Sequence, residues 1–225
     1  MASIRQMANC IGLSGDISLV EDFYGYLKGG PKQLSLLKQV LLLKGKHIHL
    51  NLIRVGIESF TNEGKNNDEQ EINLAVQFTR DTYATVNLGI GRVERYWITT
   101  ADAEGREHID SDGEARKLTR KWTVDNDALD VFFVLTYTGT TIGLSAVDGP
   151  CNKDRKSING SVVAIEGSPN TTGFVLAHEV GHYLGLSHRD NDSTNLMFPV
   201  VPNGGNLTSN QGNKMREHCF VDSGC

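Results

Sequence analysis

The chain has 225 residues, of which 39% are hydrophobic and 22% charged, and its formal net charge is −5. This length suits one domain with a sizeable core, with or without an appendage. The negative charge argues against nucleic acid or an anionic membrane as the main partner, and the sequence has no apolar run near the ~20 residues that cross a bilayer. We expect a monomer with no nucleic-acid or membrane partner.

Residues 1–45 are predicted to form a helical extension, and residues 46–225 the main domain. Ser18 and Glu21 form a capping box, and apolar residues follow at helical spacing until Gly29-Gly30-Pro31. A second short helix is predicted after this break. Two short helices cannot bury their own apolar faces, so we expect the extension to pack on the main domain. The first 30 residues lack the apolar stretch of a signal peptide.

A strand is predicted over residues 46–58, where apolar and polar residues alternate. His47 and His49 lie on the polar side of this alternation. Nothing nearby in the sequence completes a site, so we predict that both histidines are at the surface. An amphipathic helix is predicted after a capping box that begins at Asp68, and a second strand over residues 91–100.

Residues 101–113 are acidic and are predicted to form a loop. Carboxylates are the hard oxygen ligands that Ca²⁺ prefers, so calcium is one interpretation of this segment. The candidate calcium ligands are Asp102, Glu104, Asp110 and Asp112. Their spacing is not that of an EF-hand loop, which favours a solvated acidic loop instead.

Two further strands are predicted in the second half of the chain. Residues 129–137 form a nearly continuous apolar run, which is typical of a strand buried on both faces. A Gly-rich loop is predicted at 139–157, and residues 158–166 are predicted to form the next strand. Thr171 or Thr172 is then the expected N-cap of a helix.

The four cysteines, which are too few for a disulfide-rich scaffold, are Cys10, Cys151, Cys219 and Cys225. Two interpretations stay open. Either one bridge joins Cys151 to Cys219 or Cys225, or all four thiols are free.

The segment from His178 to His188 predicts a metal site. His178 and His182 are four residues apart, so on a helix they share one face. Gly185 suits the left-handed turn that ends a helix, and such a turn would bring His188 back to the same metal. Three neutral imidazoles leave a fourth zinc position open, as in catalytic sites. Glu179 would lie within reach of a metal-activated water.

This HExxHxxGxxH pattern resembles the metzincin clan of zinc endopeptidases, and the segment Asn195–Pro199 resembles the clan's methionine turn, with Met197 beneath the metal. The resemblance implies an α+β fold. Its twisted mixed sheet would have about four to five strands, with a backing helix, an active-site helix and a C-terminal helix. Pro199 and Arg189 depart from well-known subfamilies, so the subfamily is left unassigned. The clan also implies secretion, although this chain shows no signal peptide.

The resemblance also implies where substrate binds. The strand at 158–166 would be the antiparallel edge of the sheet, to which an extended peptide adds as a further strand. The residues expected to contact substrate are Val162, Val163, Ala164 and Pro199. Metzincins often carry an N-terminal inhibitory segment that supplies a cysteine or aspartate to the zinc, here Cys10 or Asp16. The alternative is an extension that serves only in packing or in binding a partner.

We therefore expect a zinc-dependent endopeptidase that cleaves protein or peptide substrates, with Zn²⁺ on His178, His182 and His188. A metal-activated water would attack the scissile carbonyl, and Glu179 would be the general base. The alternative is a metzincin-fold binding or toxin-type module in which proteolysis is narrow, latent or absent.

Overall fold

The computed structural model describes residues 45–60, 66–153, 158–202 and 204–223. The predicted helical extension lies outside the described residues, so its two helices and its role stay predictions. The described strands are β1 (Lys46–Val55), β2 (Gly89–Ile98), β3 (His108–Ile109), β4 (Leu129–Val134), β5 (Thr136–Tyr137), β6 (Gly143–Ser145), β7 (Ser161–Ala164) and β8 (Val221–Ser223). The described helices are α1 (Asn67–Ala84), α2 (Thr100–Ala103), α3 (Asp112–Lys121), α4 (Pro169–Tyr183) and α5 (Ser209–Arg216).

The main sheet is mixed, as expected for an α+β fold. Its strand order is β2-β1-β4-β7-β6, and β8 adds beside β1 as a sixth strand. The first four strands run parallel to one another, while β6 is antiparallel to β7. β3 and β5 form a separate two-stranded pair. The predicted backing, active-site and C-terminal helices correspond to α1, α4 and α5.

Both faces of the sheet are buried, because a different set of helices covers each one. In β1, Ile48, Leu50 and Leu52 pack in one core cluster with apolar residues of α1 and α4. Ile53 and Val55 belong to a second cluster that includes residues of α3. Since successive strand residues point to opposite faces, α1 and α4 lie on one side of the sheet and α3 on the other. This arrangement places the active-site helix directly on the sheet.

The prediction that His47 and His49 lie at the surface is wrong. Only 3% of His47 and 7% of His49 is exposed. The alternating pattern predicts a solvated face for β1, whereas the two rings pack against each other, with centroids 5.0 Å apart, and over Gly91 of β2. Gly91 and Asp222 of β8, which lie beside the two rings, are distant in sequence, so the local pattern of β1 contains no sign of them.

The prediction that residues 158–166 form the sheet edge is also wrong. β7 pairs on one side with β4 and on the other with β6, and Val162, Val163 and Ala164 are buried. The edge strand is β6, which lies inside the segment predicted as a Gly-rich loop. Because the main chain of β7 is already paired on both sides, these three residues cannot receive a peptide strand.

Side-chain caps set several of the helix boundaries. The last described helix, α5, begins with a capping box in which the Thr208 and Gln211 bonds are both present. The N-cap of α4 is Ser168, and not Thr171 or Thr172. The buried Thr172 hydroxyl instead accepts from the Glu166 amide and donates to Glu71 at 2.5 Å. Thr172 therefore fixes the approach of the chain to α4 through side-chain bonds rather than by capping the helix.

One disulfide joins Cys151 to Cys219, with a Cα–Cα distance of 5.7 Å. It agrees with one of the two bridges considered from the sequence, while Cys10 and Cys225 lie outside the described residues. None of the described helices is both long and apolar enough to span a membrane.

Candidate metal centre and active site

The geometry of the metal centre begins with the two ends of α4. Pro169 occupies the first turn, where its missing N–H needs no partner. The helix ends before Gly185, whose φ of +95° is the left-handed conformation predicted for it. The amide of Leu186 bonds to the carbonyl of Gly181 across this turn. The chain therefore reverses sharply and carries His188 back toward the helix.

The three predicted ligands converge. His178 Nε2 lies 3.2 Å from His188 Nε2, and His182 Nε2 lies 3.1 Å from the same atom. Nitrogens that bind zinc tetrahedrally at about 2.0–2.1 Å stand about 3.3 Å from one another. The observed separations are close to that value, so the three imidazoles fit a zinc ion without rearrangement.

Main-chain carbonyls fix which nitrogen of each buried imidazole carries the proton. His178 Nδ1 donates to the Leu196 carbonyl at 2.8 Å, and His182 Nδ1 donates to the Leu186 carbonyl at 2.7 Å. Each bond places the proton on Nδ1 and leaves a lone pair on Nε2. Second bonds of this kind orient histidines in metal sites and raise their basicity as ligands. The free lone pairs of His178 and His182 therefore both lie within 3.2 Å of His188 Nε2, as a shared metal ion requires.

Burial also keeps these two rings in the form that binds metal. Desolvation is the largest cause that lowers the pKa of His178, and it lowers the pKa of His182 to about 4. The neighbouring His178 also lowers the pKa of His182. Both rings are therefore neutral at pH 7, as a metal ligand must be.

Glu179 lies against the edge strand β6. An added Cβ at Gly143 would lie 2.6 Å from Glu179 Cγ and 2.7 Å from its Oε1, so only glycine leaves room for this carboxylate. Burial raises the pKa of Glu179 to about 8, and a hydrogen bond with Ser145 acts in the opposite direction. The Ser145 hydroxyl also lies 2.6 Å from that of Ser161. Two strands of the sheet thus support the carboxylate.

The turn that contains Met197 lies under the helix. Met197 is fully buried, and an added Cβ at Gly181 would lie 3.0 Å from its sulfur. The Asn195 side chain shapes this turn, because its Oδ1 accepts from the Met197 amide at 3.0 Å. Asn195 and Gln211 also exchange two side-chain amide bonds, each of 2.9 Å. The turn therefore connects α5 to the Leu196 carbonyl that orients His178.

Comparison with known proteins assigns the chain to a protein family. The family model Reprolysin_5, described as metallo-peptidase family M12, matches residues 52–220, three quarters of the chain. The chain belongs to this metallopeptidase family. It also resembles the crystal structure of metalloproteinase-II from Bacteroides fragilis, with a TM-score of 0.51 at 17% identity, over 79% of this chain and 54% of that one. This likeness supports the metzincin-like fold, and the chain spans about half the length of that protein.

A second solved structure is similar to the chain over a shorter stretch. It is described as a chaperone–substrate complex, with a TM-score of 0.46 and 19% identity, over 68% of this chain and 25% of that one. A likeness of this size supports no argument about fold or function.

The edge strand of the sheet could not be predicted from the sequence. β6 pairs with β7 through Gly143, Leu144 and Ser145, and its other side faces no strand in the described part of the chain. Three residues are too few for a visible alternation, and the flanking glycines predict a loop. The only available signal is Gly143 itself, whose small size is needed beside Glu179.

The remaining predicted site residues are dispersed. Pro199 follows the methionine turn and is exposed. Each predicted calcium ligand has a local protein partner instead, as when Tyr137 donates to Asp112 and Thr138 to Asp110. Among the described residues, no three of these carboxylates lie within 4.8 Å of one another. The geometry offers no support for calcium in this segment.

Proposed function

We propose that this metallopeptidase is a zinc-dependent endopeptidase in which Glu179 is the general base. The proposal rests on the convergence of three histidine Nε2 atoms beside the helix that also carries Glu179. The Nε2 atom of His188 lies 3.2 Å from that of His178 and 3.1 Å from that of His182. Three histidine ligands leave a fourth position for water or substrate, and this distinguishes catalytic from structural zinc sites.

A zinc ion held by His178, His182 and His188 would supply a Lewis acid that lowers the pKa of a water toward about 7. Glu179 takes a proton from the attacking water and returns it to the leaving amine. In the metal-free protein, burial raises the pKa of Glu179 to about 8, and a zinc ion beside the carboxylate would lower it again. A pKa near neutrality suits a group that both accepts and returns a proton.

The substrate in this proposal is an extended peptide that adds to β6. An unpaired edge offers main-chain donors and acceptors to any extended segment, so it binds the middle of a chain without needing a free terminus. β6 lies directly over Glu179, because Gly143 contacts that carboxylate. Val147 beyond β6 and Val200 beyond the methionine turn are exposed by 52% and 63%. We assign these exposed apolar residues, with Pro199, to contacts with substrate side chains.

The test is cleavage of a fluorogenic peptide whose termini are acetylated and amidated, because only an endopeptidase cuts such a substrate. Cleavage should stop in a chelator and return with added Zn²⁺. Glu179→Gln should retain zinc yet lose about 10²–10⁴-fold in kcat/KM, as expected for loss of a general base. Glu217→Gln, at an exposed glutamate away from the site, is the matched control and should leave kcat/KM unchanged.

Three outcomes would contradict this proposal and indicate an alternative. Cleavage that persists in chelator and in Glu179→Gln would refute the zinc mechanism. Full zinc occupancy without cleavage of any peptide in a diverse library would indicate a metzincin-fold binding module instead. Cleavage of peptides with free termini only would indicate an exopeptidase.

A further inference from the structure

Two buried histidines lie outside the catalytic centre and have no part in its chemistry. His47 and His49 stand two residues apart near the start of β1 and so share one face of the sheet. Ile48 and Leu50, which alternate with them, pack in the core cluster that includes α4. His47 and His49 therefore project from the face of the sheet opposite the active-site helix.

Asp222 joins the two histidines from the last described strand. It pairs directly with His47 in the antiparallel β1–β8 ladder, and residues paired in this way share a face. Its Oδ2 lies 3.7 Å from His49 Nε2. The potential ligand atoms of His47, His49 and Asp222 all lie within 4.8 Å of one another. Among the described residues, only the catalytic histidines form another such group.

Gly91 in β2 leaves the space that the two rings occupy. An added Cβ at this position would lie 2.8 Å from His49 Nδ1 and 3.0 Å from His47 Cδ2. The β1–β2 register also shifts between Ile48 and Leu50, at the level of His49. This irregularity frees the Arg92 amide from the strand ladder, and the amide donates to His49 Nδ1 at 2.9 Å instead.

The hydrogen bonds around the cluster define its donor atoms. His47 Nδ1 lies 3.4 Å from the Gly45 carbonyl and donates to it, which leaves the Nε2 lone pair free. His49 accepts at Nδ1, so without a metal its proton is on Nε2, the atom nearest Asp222. Arg92 forms its ion pairs with Glu94 and Asp127 rather than with Asp222.

We propose that His47, His49 and Asp222 form a second metal site, for Zn²⁺ or a similar transition-metal ion, on the face of the sheet opposite the catalytic centre. Two imidazoles and one carboxylate are a ligand set typical of zinc, whereas Ca²⁺ takes six to eight oxygens. The ion binds His47 and His49 through Nε2 and ties β8 to β1. His49 gives up its Nε2 proton, and the Arg92 amide loses its acceptor.

The stoichiometry of zinc binding tests the site. The full chain is stripped with chelator, dialysed and titrated with Zn²⁺ by calorimetry, with bound metal counted independently. We expect two equivalents for the wild-type chain. Asp222→Asn, an isosteric change of a half-exposed side chain, should bind one, as should Gly91→Ala, which fills the space beside the rings. His108→Gln, at an exposed histidine, is the matched control and should bind two.

The Arg92 amide gives a readout that non-specific binding would not produce. In a His188→Ala chain, which lacks one catalytic ligand, a single equivalent of Zn²⁺ should shift the Arg92 amide resonance. The same addition to His188→Ala/Asp222→Asn should leave it unmoved. One equivalent in the wild type, two in Asp222→Asn, or an unmoved Arg92 amide in His188→Ala would each overturn the proposal. Circular dichroism excludes unfolded variants, and Asp222→Asn preserves the test if Gly91→Ala fails to fold.

Discussion

Gly143 lies against Glu179 so closely that an added Cβ would be 2.6 Å from the glutamate Cγ. One residue belongs to the edge strand β6 and the other to the active-site helix α4. The contact means that the strand proposed to bind substrate and the proposed general base cannot move independently. The small residue in β6 thus sets the position of the carboxylate.

Gly143→Ala should therefore impair hydrolysis while the metal stays bound. The new methyl group would displace Glu179 or β6, because both Cγ and Oε1 lie within 2.7 Å of its position. We expect kcat/KM to fall by at least about tenfold, within the range attributed to a general base. Zinc content and kcat/KM are measured on the same preparation. Gly113→Ala in α3, where an added Cβ meets only Ser111 Oγ at 3.8 Å, is the control and should keep full activity.

The pKa of Glu179 also predicts how the stability of the metal-free protein depends on pH. Burial raises this pKa from 4.5 to about 8, so between these values the folded protein holds a proton that the unfolded chain has released. The favourable contribution of Glu179 is complete below pH 4.5 and is lost as pH rises to about 8. Glu179→Gln removes this ionisation.

In chelator, Glu179→Gln should consequently gain stability over the wild type as pH rises from 5 to 8. The difference should reach at most about 5 kcal/mol. Urea unfolding at both pH values measures it. An equal stability difference at pH 5 and pH 8 would contradict the raised pKa.

The convergence of the three histidines was predictable because local chain geometry alone relates them. A spacing of four residues fixes His178 and His182 on one face, and Gly185 marks the turn that returns His188. The fold class followed from the same motif. None of this required knowledge of contacts between distant parts of the chain.

The sheet edge and the burial of His47 and His49 depend on such distant contacts. β6 could not be predicted because its three residues show no periodicity. The sequence therefore predicts the neighbouring strand β7 as the edge. The two histidines lie on what the alternation of β1 predicts as a solvated face, but they pack against each other, over Gly91 of β2 and beside Asp222 of β8. A local pattern indicates which residues share a face, and only the folded structure shows what packs on that face.

The side-chain pair of Asn195 and Gln211 should control zinc affinity without contacting zinc. Asn195 Oδ1 accepts from the Met197 amide and from Gln211, and the same turn supplies the carbonyl that orients His178. Asn195→Ala leaves these buried donors unpaired. We expect zinc affinity to fall about 10–100-fold, the usual effect of losing an outer partner of a metal ligand. Competition with a chromogenic chelator measures the affinity, and Asn213→Ala, at an exposed residue of α5, is the control.

The disulfide between Cys151 and Cys219 should couple the fold to substrate binding. The segment before Cys151 caps the active-site helix, since the Asp148 amide donates to the His182 carbonyl at 3.0 Å and the Gly149 amide to that of Tyr183 at 2.8 Å. This segment follows β6 directly, so the bridge restrains the edge strand as well. Loss of the bridge should therefore loosen β6 more than the three histidines, which keep their own carbonyl partners.

The double variant Cys151→Ser/Cys219→Ser should lose about 2–5 kcal/mol of stability, as is typical when a native disulfide is removed. Its KM for the blocked peptide should rise while kcat falls less, because β6 binds the peptide backbone and the metal ligands remain in place. Denaturant unfolding and steady-state kinetics measure the two effects. A phosphine reductant, which does not strip zinc as dithiols do, should reproduce the change in the wild type and leave the double variant unaffected. A fall in kcat with unchanged KM would show that the bridge supports the metal centre instead.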